Sequence, residues 1–315
     1  MSKKINKACL ALALAGLVGV SVGASACGTS KHPNARITIE FNEETYVIDY
    51  MLYRNMYPQT VQHFIELADA GFYNDTIIHD YKSYDWVGGA YEYDESETVG
   101  YADSYSRSAQ KDYLENHSKE SEYYNLVTEG IKNNKFSASV YKTSIYDRNG
   151  KETVDVAQAL PTLIGEFSSN DHKIQGGKGL TASFGTIKMF YYKKDTKPVV
   201  VKNSFGQIMP RDYNYNCATS LFSLQVSDST SYNESSYAVF GQLKNDKAKG
   251  NLEDLMDAID DYVTGLGSTS KWSTSVSTLV DRLDTFAEDG GRDIETSFTM
   301  TSSPLVIKSV KITKY

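Results

Sequence analysis

The stretch Tyr57–Gly89, YPQTVQHFIELADAGFYNDTIIHDYKSYDWVGG, constrains this chain more than any other. Pro58 stands where a helix can begin, at a position whose missing N–H would have had no intrahelical partner. Val61, Phe64, Ile65 and Ala68 then recur at helical spacing as one apolar stripe, and Gly71 stops the helix. Phe72-Tyr73 leads into an apolar run that predicts a strand over Thr76–Val87, closing on a Gly88-Gly89 turn.

Residues 1–26 are expected to be an export signal and take no part in the fold. Lys3, Lys4 and Lys7 precede the apolar Leu10–Val22, and Ala24-Ser25-Ala26-Cys27 reads as a lipobox. A single transmembrane helix is the competing reading, but the apolar core is short for a bilayer span. The expectation is a lipoprotein acylated at Cys27, tethered by residues 27–34 to the outer face of a bacterial cytoplasmic membrane. Cys9 leaves with the signal and Cys27 carries lipid, so Cys217 has no partner for an intrachain disulfide. A core must hold the exported domain together, and its length allows one. The net charge of −8 becomes more negative once Lys3, Lys4 and Lys7 are removed. That argues against a nucleic-acid partner and against attraction to anionic lipid.

Before the helix, Ile37–Phe41 and Tyr46–Tyr53 alternate as two strands joined at Asn42-Glu43-Glu44. Residues 90–163 are a polar, Tyr-rich insertion, helix-prone over Ala109–Lys132, read as a structural lid or a separate binding element; composition alone would suggest glycan binding. A second insertion spans 188–216 and a third 245–300. In the third, Leu252, Leu255, Met256, Ile259, Tyr262 and Val263 make one helical stripe behind a cap at Asn251. Val276, Leu279, Val280, Leu283 and Phe286 make another, stopped by Gly290-Gly291. Such stripes mean core packing or, less commonly, a partner groove. Leu305–Ile312 alternates as a closing strand.

These elements resemble the cyclophilin-type peptidyl-prolyl cis-trans isomerases. The resemblance rests on Pro58, Thr60, Val61, Phe64, Gly71, Phe72, Tyr73 and His79, and resumes at Gly165-Glu166-Phe167 and His172. It continues through Gly179-Leu180-Thr181-Ala182, similar to a family strand, then Ser220-Leu221-Phe222-Ser223-Leu224 and Tyr237-Ala238-Val239-Phe240-Gly241-Gln242-Leu243. It implies a mainly β fold with helices: a closed antiparallel barrel of about eight strands over residues 35–315, capped by helices and carrying long insertions. It also implies an isomerase that helps exported proteins fold, binds proline-containing peptides or exported polypeptides, works as a monomer and needs no cofactor. The alternative is a catalytically impaired barrel that serves as a peptide-binding or scaffold module.

Prolyl isomerisation must lower a rotation barrier of about 18–20 kcal/mol set by amide conjugation. The family lowers it with an Arg that hydrogen-bonds the prolyl nitrogen and carbonyl oxygen beside an apolar pocket. Here the Arg after the strand His79 is Asp80, which has no proton to give. The pocket Phe falls at Tyr84 and the Gln before Gly-Gly at Val87. The Ala-Asn pair falls at Ser183-Phe184, a further Gln at Leu221, a Phe is kept as Phe222, and the Trp and His fall at Tyr232 and Tyr237. These positions are the expected peptide site, aromatic but stripped of polar donors. Lys82, two residues from Asp80 and Tyr84, is one candidate substitute cation, without the planar fork of Arg. The preferred reading of the sequence makes Asp80 and Lys82 a surface ion pair of little consequence. Arg54 and Lys178 are further candidates.

Other chemistries find no support. His32, His63, His79, His117 and His172 are scattered without metal-ligand spacing, so no metal is expected. Gly176-Gly177-Lys178-Gly179 lacks the spacing of a phosphate loop, and no nucleophile elbow occurs. Cys217 reads as a small buried residue.

Overall fold

A computed structural model describes residues 30–97, 107–138, 140–141, 144–146, 152–155, 163–168, 172–174, 177–202, 208–228, 237–278 and 296–315. The expected lipid anchor at Cys27 and the pocket residue Tyr232 lie outside them.

β1 (Asn34–Phe41) and β2 (Glu44–Leu52) form a hairpin. Asn42 and Glu43 both have positive φ, 50° and 66°, the two-residue turn whose twist matches paired strands. Alternate residues Ala35, Ile37, Ile39 and Phe41 are buried, so one face of the hairpin lines the core. Then α1 (Pro58–Asp69) buries Val61, Phe64, Ile65, Leu67 and Ala68. Its Phe64 ring meets Phe222 at 5.5 Å and Phe240 at 5.2 Å. Gly71 follows the helix at φ 75°, the left-handed stop that a side chain would resist.

Next come β3 (Thr76–Tyr81) and β4 (Asp85–Glu92), an antiparallel hairpin. The single strand expected over Thr76–Val87 is broken because Lys82 and Asp85 exchange backbone hydrogen bonds across a two-residue turn. Gly88-Gly89 is not a turn but lies inside β4. There a Cβ on Gly88 would come within 2.8 Å of Ile307 Cδ1, and one on Gly89, at φ 92°, within 2.7 Å of the Ser220 carbonyl.

The first insertion holds α2 (Arg107–Asn116), α3 (Glu120–Lys132) and the short strands β5 (Ser144–Tyr146), β6 (Glu152–Asp155) and β7 (Leu163–Ile164). Gly179–Ala182, expected as a strand, is irregular. β8 (Thr186–Lys202) and β9 (Ile208–Gln225) pair along nearly their whole length, so the second insertion is an extension of two barrel strands into a ribbon.

β10 (Ala238–Leu243) leads to α4 (Asp246–Gly265). Asn245, not Asn251, caps α4, its side chain accepting from the Ala248 N–H at 3.0 Å; Asn251 instead donates to the Val47 carbonyl at 2.6 Å. The second expected helix is corrected at its start. Val276 lies in β11 (Ser273–Thr278), which pairs with β12 (Thr296–Thr301). The rest of that stripe, from Leu279 on, falls outside the described residues. β13 (Val306–Lys314) ends the chain between β1 and β3.

The sheet runs β8-β10-β2-β1-β13-β3-β4-β9, and β9 pairs back onto β8, closing an eight-stranded antiparallel barrel. Its interior is filled by side chains such as Ile37, Phe222, Phe240 and Ile307, all buried, so any site lies on the outer wall.

Candidate functional site on the outer wall of the barrel

The strands β3, β4 and β9, the β3–β4 turn and the segments just before β8 and β10 carry the described site residues, but not on one surface. Asp80 is buried. One carboxylate oxygen accepts the Thr299 N–H at 2.9 Å, and the other lies 2.6 Å from Lys82 Nζ. The β11–β12 hairpin therefore sits over the position where the resemblance places an Arg. His79 is fully buried, with Tyr91 at 4.7 Å and Phe298 at 5.0 Å, and it is walled off from any peptide. A register shift between Ile78 and Asp80 marks a bulge there, and β12 reaches both side chains through Phe298 and Thr299. Burial pushes His79 down to about 4, against the opposing charge of Asp80.

Val87 and Leu221 are buried too. Phe222 belongs to the barrel core, edge-on to Phe64 and Tyr73 at 5.5 and 5.2 Å, and forms no part of an outer pocket. The period of two explains this: Phe222 and Leu224 turn inward while Ser223 and Gln225 turn to the other face.

Lys82 and Tyr84 occupy the β3–β4 turn, with the Lys82 side chain 38% exposed and Tyr84 47% exposed. Burial works against the Lys82 ammonium, but its bond to Asp80 and the charges of Asp80, Tyr84 and Asp85 more than offset that, raising its pKa. The pair with Asp80 is thus anchored on a buried carboxylate and is not a fully solvated surface pair. Ser183 and Phe184 stand at the neighbouring edge, where the Phe184 N–H donates to Asp228 at 2.9 Å and the Gly185 N–H to the Gln225 carbonyl at 2.8 Å. Arg54 and Lys178 do not join this face: the Arg54 guanidinium donates to the Ser30 carbonyl at 3.1 Å, and Lys178 is exposed beyond Gly177.

Between these residues lies a polar cluster that sequence reasoning missed. Lys188 Nζ is 2.9 Å from Asp85 Oδ2, with both side chains under 10% exposed. The same ammonium stands 5.1 Å over the Tyr237 ring and 3.5 Å from Gln225 Oε1, while the Ser223 hydroxyl donates to Asp85 Oδ1. Alternation of Ser223 and Gln225 with Phe222 and Leu224 was a visible signal for the strand face. The partnership of Lys188 with Asp85 was not, because about a hundred residues separate them. Two clefts lie away from this wall. One of about 620 Å³ runs between α1 and α3, and one of about 350 Å³ lies beside Tyr57 and His172.

The closed barrel with its proline-started cap helix defines a cyclophilin-like architecture. The sequence model of the cyclophilin type peptidyl-prolyl cis-trans isomerase/CLD family matches residues 36–272, and the chain belongs to that family. Peptidyl-prolyl cis-trans isomerisation is the activity of that family. No curated protein matches it in sequence. Similar solved structures include a cyclophilin type peptidyl-prolyl cis-trans isomerase of Cryptosporidium parvum, at 12% identity and TM-score 0.35 over 90% of this chain and 99% of that one. The same protein in the presence of the dipeptide Ala-Pro matches at 12% identity and TM-score 0.34, with the same coverage. Mimivirus cyclophilin matches at 14% identity and TM-score 0.34 over 74% of this chain and 80% of that one.

Proposed function

We propose that this chain is an extracytoplasmic cyclophilin-type isomerase that assists the folding of exported proteins, held at the membrane through lipid on Cys27. It engages proline-containing segments on the face formed by Lys82, Tyr84 and Tyr237. The observation that carries this reading is the Asp80–Lys82 pair. Asp80 is itself unable to donate, but it holds an ammonium at 2.6 Å beside the half-exposed Tyr84 ring. An ammonium has three protons; with one directed to Asp80, others remain to polarise a prolyl amide while the aromatic ring takes up the pyrrolidine. Slow X-Pro isomerisation limits folding of exported chains, which gives the activity its use outside the cytoplasm.

A second reading is favoured by the buried Asp85–Lys188 pair, which puts charge where an apolar pocket would be needed. On that reading the face binds peptide without accelerating rotation. One experiment separates the two. The full-length chain in detergent is titrated with a short X-Pro peptide, and cis/trans exchange is followed by NMR. Acceleration that falls at least about tenfold in Lys82→Ala supports the isomerase with Lys82 as donor. Binding without acceleration gives the second reading, and no binding overturns both. Mass spectrometry of the mature N-terminus tests the anchor: an unmodified or unprocessed Cys27 removes it.

A further inference from the structure

Where β4 ends, the first insertion folds back on itself. Asp94 and Glu97 come just after the strand, and His117 just after α2. Backbone bonds fasten these segments, Glu92 N–H to His117 O and Lys119 N–H to Ala90 O, both at 2.9 Å. Tyr113 stands between them. Its hydroxyl donates to the Glu92 carbonyl and accepts the Asp94 N–H, each at 2.9 Å, and its ring stacks on the His117 imidazole at 4.1 Å and 15°.

His117 Nδ1 lies 2.8 Å from the Tyr113 carbonyl. A carbonyl only accepts, so Nδ1 carries a proton and Nε2 is the nitrogen whose lone pair is available to a proton or a cation. That lone pair faces Glu97 Oε2 at 3.5 Å, and a carboxylate also only accepts. One ligand atom from each of Asp94, Glu97 and His117 lies within 4.8 Å of the others. Asp94 Oδ1 already accepts the Ser96 N–H at 2.8 Å and the Ser96 hydroxyl at 2.6 Å, so the unanswered contact is the one between His117 Nε2 and the Glu97 carboxylate, which needs a proton or a cation between its two acceptors.

We propose that Asp94, Glu97 and His117 bind a divalent transition-metal ion of the zinc type. One imidazole and two carboxylates suit zinc and its neighbours better than calcium, which takes oxygen ligands throughout. The carbonyl on Nδ1 and the stacked Tyr113 ring fix tautomer and orientation, the support that metal-binding imidazoles generally receive. Three protein ligands leave a coordination position for water. The ion would join the residues leaving β4 to the end of α2 and so pin the first insertion to the barrel wall.

The test uses the full-length chain without a polyhistidine tag, in detergent and stripped with a chelator. Calorimetric titration with zinc is expected to give one ion per chain. Cobalt in its place should give a visible d–d absorption band. His117→Ala and Glu97→Gln should each weaken zinc binding more than about tenfold and abolish the cobalt band. The Glu97 side chain is 61% exposed, so its replacement leaves the fold standing, which circular dichroism checks. Absence of zinc binding at micromolar concentrations overturns the site and leaves His117 and Glu97 as an ordinary ion pair. Binding that survives both substitutions places the ion elsewhere and overturns it equally.

Discussion

Lys188 shows how much one side chain can decide on the outer wall of this barrel. Its ammonium and the Asp85 carboxylate are both withdrawn from water, so each depends on the other. Lys188→Met strands Asp85 as an unpaired buried charge and should cost about 3–5 kcal/mol in urea unfolding followed by tryptophan fluorescence. Replacing both, Asp85→Leu with Lys188→Met, should recover most of that loss, because an apolar pair of similar volume has no desolvation to repay. A single substitution costing under about 1 kcal/mol would mean that the pair is solvated after all. The site residues at single positions were legible only in part. That Asp80 cannot donate follows from its chemistry, and that Lys82 reaches it follows from spacing. That Thr299 and the β11–β12 hairpin cover Asp80 could not be read, since more than two hundred residues intervene.

At the scale of elements, α1 owes its start to a residue far from it. Tyr57 offers no side-chain cap, and the Glu166 carboxylate accepts the Thr60 N–H at 2.7 Å and the Gln59 N–H at 3.2 Å instead. A carboxylate at a helix N-terminus satisfies orphan donors and opposes the helix dipole. Glu166→Ala should therefore cost about 1–2 kcal/mol, and Glu166→Gln less, since an amide oxygen still accepts; thermal unfolding of the three chains measures both. Equal losses would make the carboxylate's charge, not its acceptor oxygens, the operative part. The helix itself was plain in the sequence because its stripe and its Pro58 are local. Its cap was not, because it comes from the loop after β7. The same division runs through the other elements. Leu252, Leu255 and Ile259 declare α4, yet Asn245 takes the cap because it lies at the true start of the helix, about two turns ahead of that apolar stripe. The β8–β9 ribbon reads as an insertion because extension of two paired strands leaves the barrel motifs at its base intact.

For the whole molecule, packing against the barrel buries two imidazoles, His63 under the first insertion and His79 under β12, and resists their protonation. His63 bonds to the Thr219 carbonyl through Nε2 and lies 3.0 Å from the Tyr141 hydroxyl at Nδ1; His79 lies among Tyr91 and Phe298. Burial pushes both from 6.5 down to about 4, with the Thr219 bond opposing it for His63 and Asp80 for His79. The folded state therefore holds these rings neutral over a range where the unfolded chain takes up protons. Stability from this source is complete above about pH 6.5 and is lost as pH falls toward 4, by up to about 3 kcal/mol per ring. Glu66 and Glu166, raised chiefly by burial, act in the opposite direction as pH falls, so the raw slope of the wild type mixes both signs. A difference measurement removes that mixture. His79→Phe keeps an aromatic ring between Tyr91 and Phe298 and takes away one titrating group. The gap in unfolding free energy between His79→Phe and the wild type should widen in the variant's favour from pH 7 to pH 4.5, while His63 continues to titrate in both. A gap that stays constant over that interval would mean that His79 protonates in the folded barrel as easily as in the unfolded chain, and that the β12 cover over it opens to water.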